Sequence, residues 1–272
     1  PGSAVDMGIE GFANSVAVAS KDILLVGLSP GGLQVVDIST PGSPVVVGSV
    51  AGGDVTDLAV DGNVAVFGTK AGDVQFVDIS DPAAPAVIGS YDMGVDAEGA
   101  SMEVFSLEIS GSLAYISGLY RLDVVTIDGN QIAQVATPDV ASLKMHLVGN
   151  YIYAAQSSAG LAIYELGATG IPTLVASHPV DQYVRNVRVE GTTAYLAIKL
   201  DDTADLRIWN VGNPLAPIEL ATYSGAGGLT ASDGLAVSGG QVHLGLGSTV
   251  GIVDASCPAA QSCDASGQCV PD

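Results

Sequence analysis

Short apolar runs alternate with turn residues along the whole chain. One six-residue run recurs six times, as LQVVDI (33–38), VQFVDI (74–79), LDVVTI (122–127), LAIYEL (161–166), LRIWNV (206–211) and VGIVDA (250–255). Successive runs are 39 to 48 residues apart, which is the period of a four-stranded propeller blade. No long segment has the i, i+3, i+4, i+7 spacing of an amphipathic helix. The pattern therefore predicts an all-β, six-bladed β-propeller.

Each repeat divides into four strands, which we call a to d. In the second repeat the apolar runs are 56–60, 64–68, 74–79 and 86–91, and Asp61-Gly62-Asn63 supplies a hairpin turn between the first two. The sixth repeat reaches strand c without an obvious strand d. Ala4 to Met7 align with the strand d of a preceding blade. We expect this N-terminal strand to complete the last blade and to close the ring.

The net charge of the chain limits the classes of molecule that it is expected to bind. The chain has 8 Lys and Arg against 29 Asp and Glu, a net charge of -21. Such a surface repels phosphate backbones and anionic headgroups, so we expect no nucleic-acid partner. It attracts Ca²⁺ or basic partners, or it serves solubility alone. The apolar runs alternate like strands, so no transmembrane segment is expected.

All three cysteines, Cys257, Cys263 and Cys269, lie in the last sixteen residues. Their position indicates a propeller domain of residues 1–256 followed by a Cys-rich tail of residues 257–272. Clustered cysteines outside the repeats are typical of a small disulfide-stapled segment, and disulfides belong in an oxidising compartment. We therefore expect a protein that is secreted or displayed at the cell surface.

The first two repeats resemble a known family. LQVVDISTPGSPVVVGS (33–49) and VQFVDISDPAAPAVIGS (74–90) combine an apolar run, an Asp, a proline-rich turn and a following strand. This combination is similar to the LVIVD repeats of bacterial and archaeal cell-surface β-propellers. The later repeats match more loosely, with Thr126, Glu165 and Asn210 in place of the Asp. The resemblance implies an extracellular propeller without an established common activity.

Polar residues concentrate on the a strands of the middle blades. Alternation with apolar residues predicts that a set of them points toward the propeller axis, namely Asp57, Glu108, Lys144, His146, Asn186 and Arg188. The cluster could orient and protonate a ligand, or it could be a structural network of ion pairs. We expect Glu108 to lie within ion-pair reach of Arg188 or Lys144. Asp57, Glu108 and Asn186 also resemble the central calcium ligands of lactonase-like propellers.

An acidic d-to-a loop, residues 92–103, is the other candidate cation site. It contains Asp92, Asp96, Glu98 and Glu103, and oxygen ligands of this kind suit Ca²⁺. Gly94 and Ala97 depart from the pattern of an EF-hand loop. The b-to-c loop 199–205 adds three further carboxylates, which we expect on the same face: Asp201, Asp202 and Asp205. Calcium is the one cofactor that these residues suggest.

One segment matches the motif of a catalytic serine in its residue types but not in its structural context. GLSPG at 27–31 matches GxSxG, but it lies between two expected strands, whereas the catalytic elbow joins a strand to a helix. We expect an ordinary turn there.

The sequence predicts a non-catalytic binding or scaffold propeller at the cell surface, whose partner is a protein or a surface glycan. Two alternatives stay open at this point. One is a Ca²⁺-dependent, lactonase-like hydrolase that uses the axial cluster, and the other is a Ca²⁺-stabilised adhesin that uses the acidic loop.

Overall fold

A computed structural model describes residues 11–40, 42–118, 121–137, 144–180, 182–200, 203–224, 234–246, 249–255, 261–263 and 269–271. Every regular element in these ranges is a β-strand. The chain divides into two compact units, Pro1–Ala141 and Ser142–Asp272. No helix in the described ranges has the length and apolar character that crossing a membrane requires.

The first unit contains three four-stranded antiparallel sheets, blades 1 to 3. Blade 1 consists of β1 (Phe12–Ser20), β2 (Ile23–Ser29), β3 (Gly32–Asp37) and β4 (Val45–Val50). Blade 2 consists of β5 (Val55–Asp61), β6 (Val64–Thr69), β7 (Asp73–Asp78) and β8 (Ala86–Asp92). Blade 3 consists of β9 (Ser106–Ser110), β10 (Leu113–Ser117), β11 (Leu122–Asp128) and β12 (Gln131–Ala136).

The second unit contains blades 4 to 6 and a terminal hairpin. Blade 4 consists of β13 (Lys144–Val148), β14 (Tyr151–Ala155), β15 (Leu161–Leu166) and β16 (Pro172–His178). Blade 5 consists of β17 (Tyr183–Glu190), β18 (Thr193–Leu200), β19 (Thr203–Asn210) and β20 (Ile218–Ser224). Within the described ranges blade 6 has three strands, β21 (Leu235–Ser238), β22 (Gln241–Leu246) and β23 (Thr249–Asp254). The hairpin pairs β24 (Gln261–Cys263) with β25 (Cys269–Pro271).

The all-β, six-bladed propeller that the repeats predict is confirmed. The four strands expected in the second repeat are β5 to β8, each within one residue of its predicted run. Ala4 to Met7 lie outside the described residues, so their pairing with the last blade stays a prediction.

The hydrophobic core lies between consecutive blades. In the first unit, Leu25 and Val35 of blade 1 pack against Phe67 of blade 2, and Phe76 of blade 2 packs in a cluster with Ile116 of blade 3. The second unit repeats this arrangement between its own blades. Alternating side chains let both faces of a blade contribute, because successive residues of a strand point to opposite faces.

The a-to-b hairpins share one backbone geometry. A glycine with φ between 56° and 59° occupies the turn in blades 2 to 6, at Gly62, Gly111, Gly149, Gly191 and Gly239. Glycine adopts this left-handed conformation without the steric cost that a Cβ brings. The recurring turn fixes the register between strands a and b.

Carboxylates at the end of strand a connect neighbouring blades. Asp61 Oδ2 accepts a hydrogen bond from the Gly111 N–H in the turn of the next blade (2.7 Å). In the second unit, Glu190 accepts from the N–H groups of Gly239 (3.0 Å) and Gly240 (3.2 Å). Each carboxylate thus caps the hairpin of the following blade.

Candidate functional site

The innermost strands carry the polar positions that the sequence singles out. In the first unit, β1 packs against β5 and β5 against β9. Asp57 of β5 joins all three, because Oδ1 accepts from Ser15 Oγ (3.1 Å) and Oδ2 accepts from the Leu107 N–H (3.0 Å). Both carboxylate oxygens of Asp57 thus accept hydrogen bonds from neighbouring strands. This geometry fits a structural carboxylate better than a calcium ligand.

In the second unit, His146 and Arg188 lie against each other on β13 and β17. The Val189 N–H donates to His146 Nδ1 (2.9 Å). Arg188 Nη1 donates to the carbonyl oxygens of Met145 and Val187, both at 3.2 Å. Burial, and secondarily the positive charge of Arg188, lowers the pKa of His146 from 6.5 to about 4. His146 is therefore neutral at neutral pH.

The hydrogen bond to Nδ1 also fixes the tautomer of His146. A neutral imidazole has one acceptor nitrogen and one donor nitrogen. Because Nδ1 accepts from a backbone N–H, the ring proton is on Nε2. Nε2 can therefore donate a hydrogen bond to a ligand, but it has no lone pair with which to act as a general base.

A tyrosine stands opposite each polar residue at the equivalent level of blades 3 to 5. The antiparallel register pairs Glu108 with Tyr115, His146 with Tyr153, and Arg188 with Tyr195. All three tyrosines are buried, and burial raises the pKa of each. The paired residues in blades 1 and 2 are small or aliphatic, as at Ala59 and Val66.

The other axial candidates belong to different units. Glu108 is half-buried on β9 in the first unit, whereas Lys144 on β13 and the buried Asn186 on β17 lie in the second. The ion pair expected between Glu108 and Arg188 or Lys144 stays a prediction.

The acidic loop folds back on its own backbone. Asp96 Oδ1 accepts from the N–H groups of Glu98 (3.0 Å) and Ala100 (2.8 Å), and Asp92 Oδ1 accepts from the Gly94 N–H (2.7 Å). Two of the four proposed calcium ligands thus stabilise turns. Within the described residues, no three His, Cys, Asp or Glu side chains are grouped so as to hold a metal ion. A calcium site in this loop stays a prediction.

A pocket of about 470 Å³ lies beside the loop in the first unit. Its lining combines three carboxylates, one guanidinium and an apolar floor: Asp96, Ala97, Glu98, Ser101, Met102, Glu103, Phe105 and Arg121. A pocket with apolar walls and a few polar groups is the common form of a ligand site. Three carboxylates and one arginine give it negative charge.

A buried hydrogen-bond network holds the arginine of this pocket in place. Asp123 has no solvent exposure, and its Oδ2 accepts from Arg121 Nη2 (2.6 Å) and from the Tyr91 hydroxyl (2.9 Å). Its Oδ1 accepts from Gln134 Nε2 (2.9 Å) and from Thr137 Oγ1 (3.1 Å). Burial and the hydrogen bond to Asp123 raise the pKa of Tyr91 to about 12, so its hydroxyl remains a donor.

Sequence reasoning did not identify Arg121 and Asp123. One signal was present, because Asp123 is a carboxylate at the second position of an otherwise apolar strand c run. The other repeats have uncharged residues or an arginine there, at Gln34, Gln75, Ala162, Arg207 and Gly251. A carboxylate at a buried strand position needs partners, and Arg121 two residues earlier is one of them.

The other candidates from the sequence are the GLSPG segment and the acidic residues of the loop 199–205. GLSPG comprises the last three residues of β2 and the two residues that connect it to β3, a strand-to-strand connection as expected. Asp201 and Asp202 fall outside the described residues, and Asp205 is buried on β19. The face that these acids were expected to share with the acidic loop stays a prediction.

Solved structures with similar folds share little sequence with this chain. The periplasmic gluconolactonase of Pseudomonas aeruginosa superimposes with a TM-score of 0.72 at 15% identity, covering 94% of this chain and 83% of that one. A chain of the mitotic checkpoint complex gives 0.65 at 16% identity, covering 83% and 70%. The computationally designed Ika8 protein gives 0.64 at 16% identity, covering 88% and 70%. These likenesses concern the fold alone.

Sequence comparison identifies the repeats. No curated protein matches the chain significantly. Residues 10–51 and 52–93 each match the LVIVD repeat, and these segments contain the four strands of blade 1 and of blade 2. The resemblance noted in the first two repeats is thereby confirmed. The chain is a β-propeller whose first two blades are LVIVD repeats.

Proposed function

We propose that the chain is a non-catalytic binding domain, exported or displayed at the cell surface, that holds a basic segment of a partner protein. The observation that carries this proposal is the pocket beside the acidic loop. Glu98 and Glu103 supply negative charge at its lining, while Met102 and Phe105 offer apolar contact for the stem of a lysine or arginine side chain.

Two properties support binding of a cationic partner. The net charge of -21 increases the encounter rate with a basic segment through long-range attraction. Arg121 is fixed by the buried Asp123, so the pocket wall is organised before a ligand arrives. Preorganisation favours affinity because less conformational freedom is lost on binding.

The hydrolase alternative receives less support from the axial residues. A lactonase-like reaction needs a group that takes a proton from water. His146 is neutral with its proton on Nε2, and its Nδ1 lone pair is used by the Val189 N–H. This imidazole is suited to donating a hydrogen bond to a ligand.

Calorimetric titration with a hexalysine peptide tests the binding proposal. The double substitution Glu98→Gln and Glu103→Gln should weaken binding by about a hundredfold, since two charge-assisted contacts of about 1.5 kcal/mol each are lost. The matched control is Asp54→Asn with Asp128→Asn, two exposed carboxylates of the same unit that do not line the pocket. Equal losses in both double variants would mean that hexalysine responds to net charge alone, and the proposed pocket would be wrong.

A further inference from the structure

The positively charged residues of this acidic chain are concentrated in one region. Five of the eight lie between positions 144 and 207, namely Lys144, Arg185, Arg188, Lys199 and Arg207. That stretch contains six acidic residues, so the other 23 of the 29 acids accompany only three basic residues elsewhere. The repulsion that the chain exerts on anions is therefore locally reduced in blades 4 and 5.

Arg188 is the residue of this group that lies beside His146. Its guanidinium is half-buried and is oriented by the carbonyl oxygens of Met145 and Val187. No described carboxylate of the second unit forms an ion pair with it. Arg207, on β19 of the same blade, differs in that it pairs with Glu219 (3.5 Å). A partly desolvated guanidinium is stabilised by a negatively charged partner, and an anionic ligand would supply one within this unit.

His146 adds a neutral donor beside this charge. The Val189 N–H occupies Nδ1, so Nε2 carries the proton, and among the described residues no acceptor is hydrogen-bonded to it. Lys144 lies two residues away on the same strand and face of β13. An arginine fork together with a neighbouring N–H matches the two oxygens of a carboxylate.

We propose that Arg188 and the Nε2–H of His146 form a binding site for the carboxylate of a small organic anion. The site lies within the second unit and is separate from the acidic pocket. A carboxylate with one negative charge suits it better than a phosphate with two, because the chain as a whole repels the higher charge more strongly.

The test is an NMR titration that follows the His146 ring and the Arg188 guanidinium of the full chain. The probes are acetate and D-galacturonate, with D-galactose as the uncharged control and inorganic phosphate as the competing anion. Both carboxylates should shift these signals saturably, galactose should not, and phosphate should bind more weakly than acetate. Absence of saturation with both carboxylates, or tighter binding of phosphate, would overturn the proposal.

Variants assign the binding to the residues. Arg188→Gln should weaken galacturonate binding by about tenfold, as expected for loss of a charge-assisted contact. Arg188→Lys, which keeps the charge but not the fork, should weaken it less. Arg207→Gln removes the same charge from the same unit and should bind like the wild type. Equal weakening in Arg207→Gln would show a general charge effect and refute the site. These outcomes are independent of the hexalysine experiment, since no residue is shared.

Discussion

The protonation of His146 is strongly linked to folding. Its pKa is lowered from 6.5 to about 4 by burial first and by Arg188 second. The unfolded chain therefore takes up the proton before the folded chain does. Stability from this group is complete above about pH 6.5 and is lost as the pH falls toward 4, with a loss of at most about 3 kcal/mol.

An NMR titration of the His146 ring checks this expectation directly. The midpoint should lie near pH 4. Arg188→Gln should raise the pKa of His146 only part of the way to its ordinary value, because burial is the larger cause. A wild-type midpoint near 6.5 would contradict the expectation, and so would full recovery in Arg188→Gln.

Asp123 is the central acceptor of a buried hydrogen-bond network in the third blade. Its carboxylate is fully buried and accepts four hydrogen bonds. Asp123→Asn removes the counter-charge of Arg121 and places an amide donor among donors, so the free energy of unfolding should decrease by about 3–5 kcal/mol. Asp128→Asn, on the same strand but exposed, is the matched control and should change it by less than about 0.5 kcal/mol. Chemical denaturation at neutral pH measures both, and similar values for the two variants would refute the role of Asp123.

At the scale of elements, a glycine on the outer strand of one blade allows the next blade to approach its backbone closely. A Cβ added at Gly48 of β4 would meet the Pro82 carbonyl oxygen and would lie 2.7 Å from Pro85 Cδ, both in blade 2. Gly48→Ala should therefore destabilise the protein by about 1–3 kcal/mol. Gly42→Ala is the control, since nothing lies within 4 Å of its added Cβ. Thermal melting distinguishes them, and a melting temperature of Gly48→Ala equal to that of the control would contradict the close approach.

The strands and turns could be predicted from the sequence because local residue patterns determine them. Apolar alternation and the turn glycines are sufficient to place β5 to β8 within one residue. The hydrogen-bond network of Asp123 could not be predicted from the sequence, since Tyr91 comes from β8 of blade 2 and Thr137 follows β12 of blade 3. Packing of two blades brings them together. The engagement of Asp57 with Ser15 and Leu107 likewise depends on neighbouring blades, so its residue type alone suggested a ligand role.

At the scale of the whole molecule, self-repulsion is the dominant electrostatic effect. A net charge of -21 disfavours the compact state because like charges repel each other. Salt weakens this repulsion, since the Debye length falls from about 30 Å at 0.01 M to about 3 Å at 1 M. The melting temperature should therefore rise with NaCl over this range. A decrease would show that attractive ion pairs outweigh the repulsion.

The same melting experiment tests the calcium prediction for the acidic loop. CaCl₂ should stabilise the chain more than NaCl of equal ionic strength if the loop binds Ca²⁺, because a specific ligand adds about 2.7 kcal/mol at 100 times its dissociation constant. The excess should disappear in Asp96→Ala and on addition of EDTA. An excess that persists in Asp96→Ala would place the calcium elsewhere.

The caps that Asp61 and Glu190 provide have a consequence for how such a chain can be rearranged. Each carboxylate belongs to one blade but satisfies the turn of the next. Blade 3 or blade 6, transplanted alone, would leave its cap behind, and blade 2 or blade 5 would carry a cap matched to a neighbour it no longer has. The portable module is therefore a capped blade together with the carboxylate that ends strand a of the blade before it, and recombination or circular permutation should be designed with breakpoints ahead of that residue.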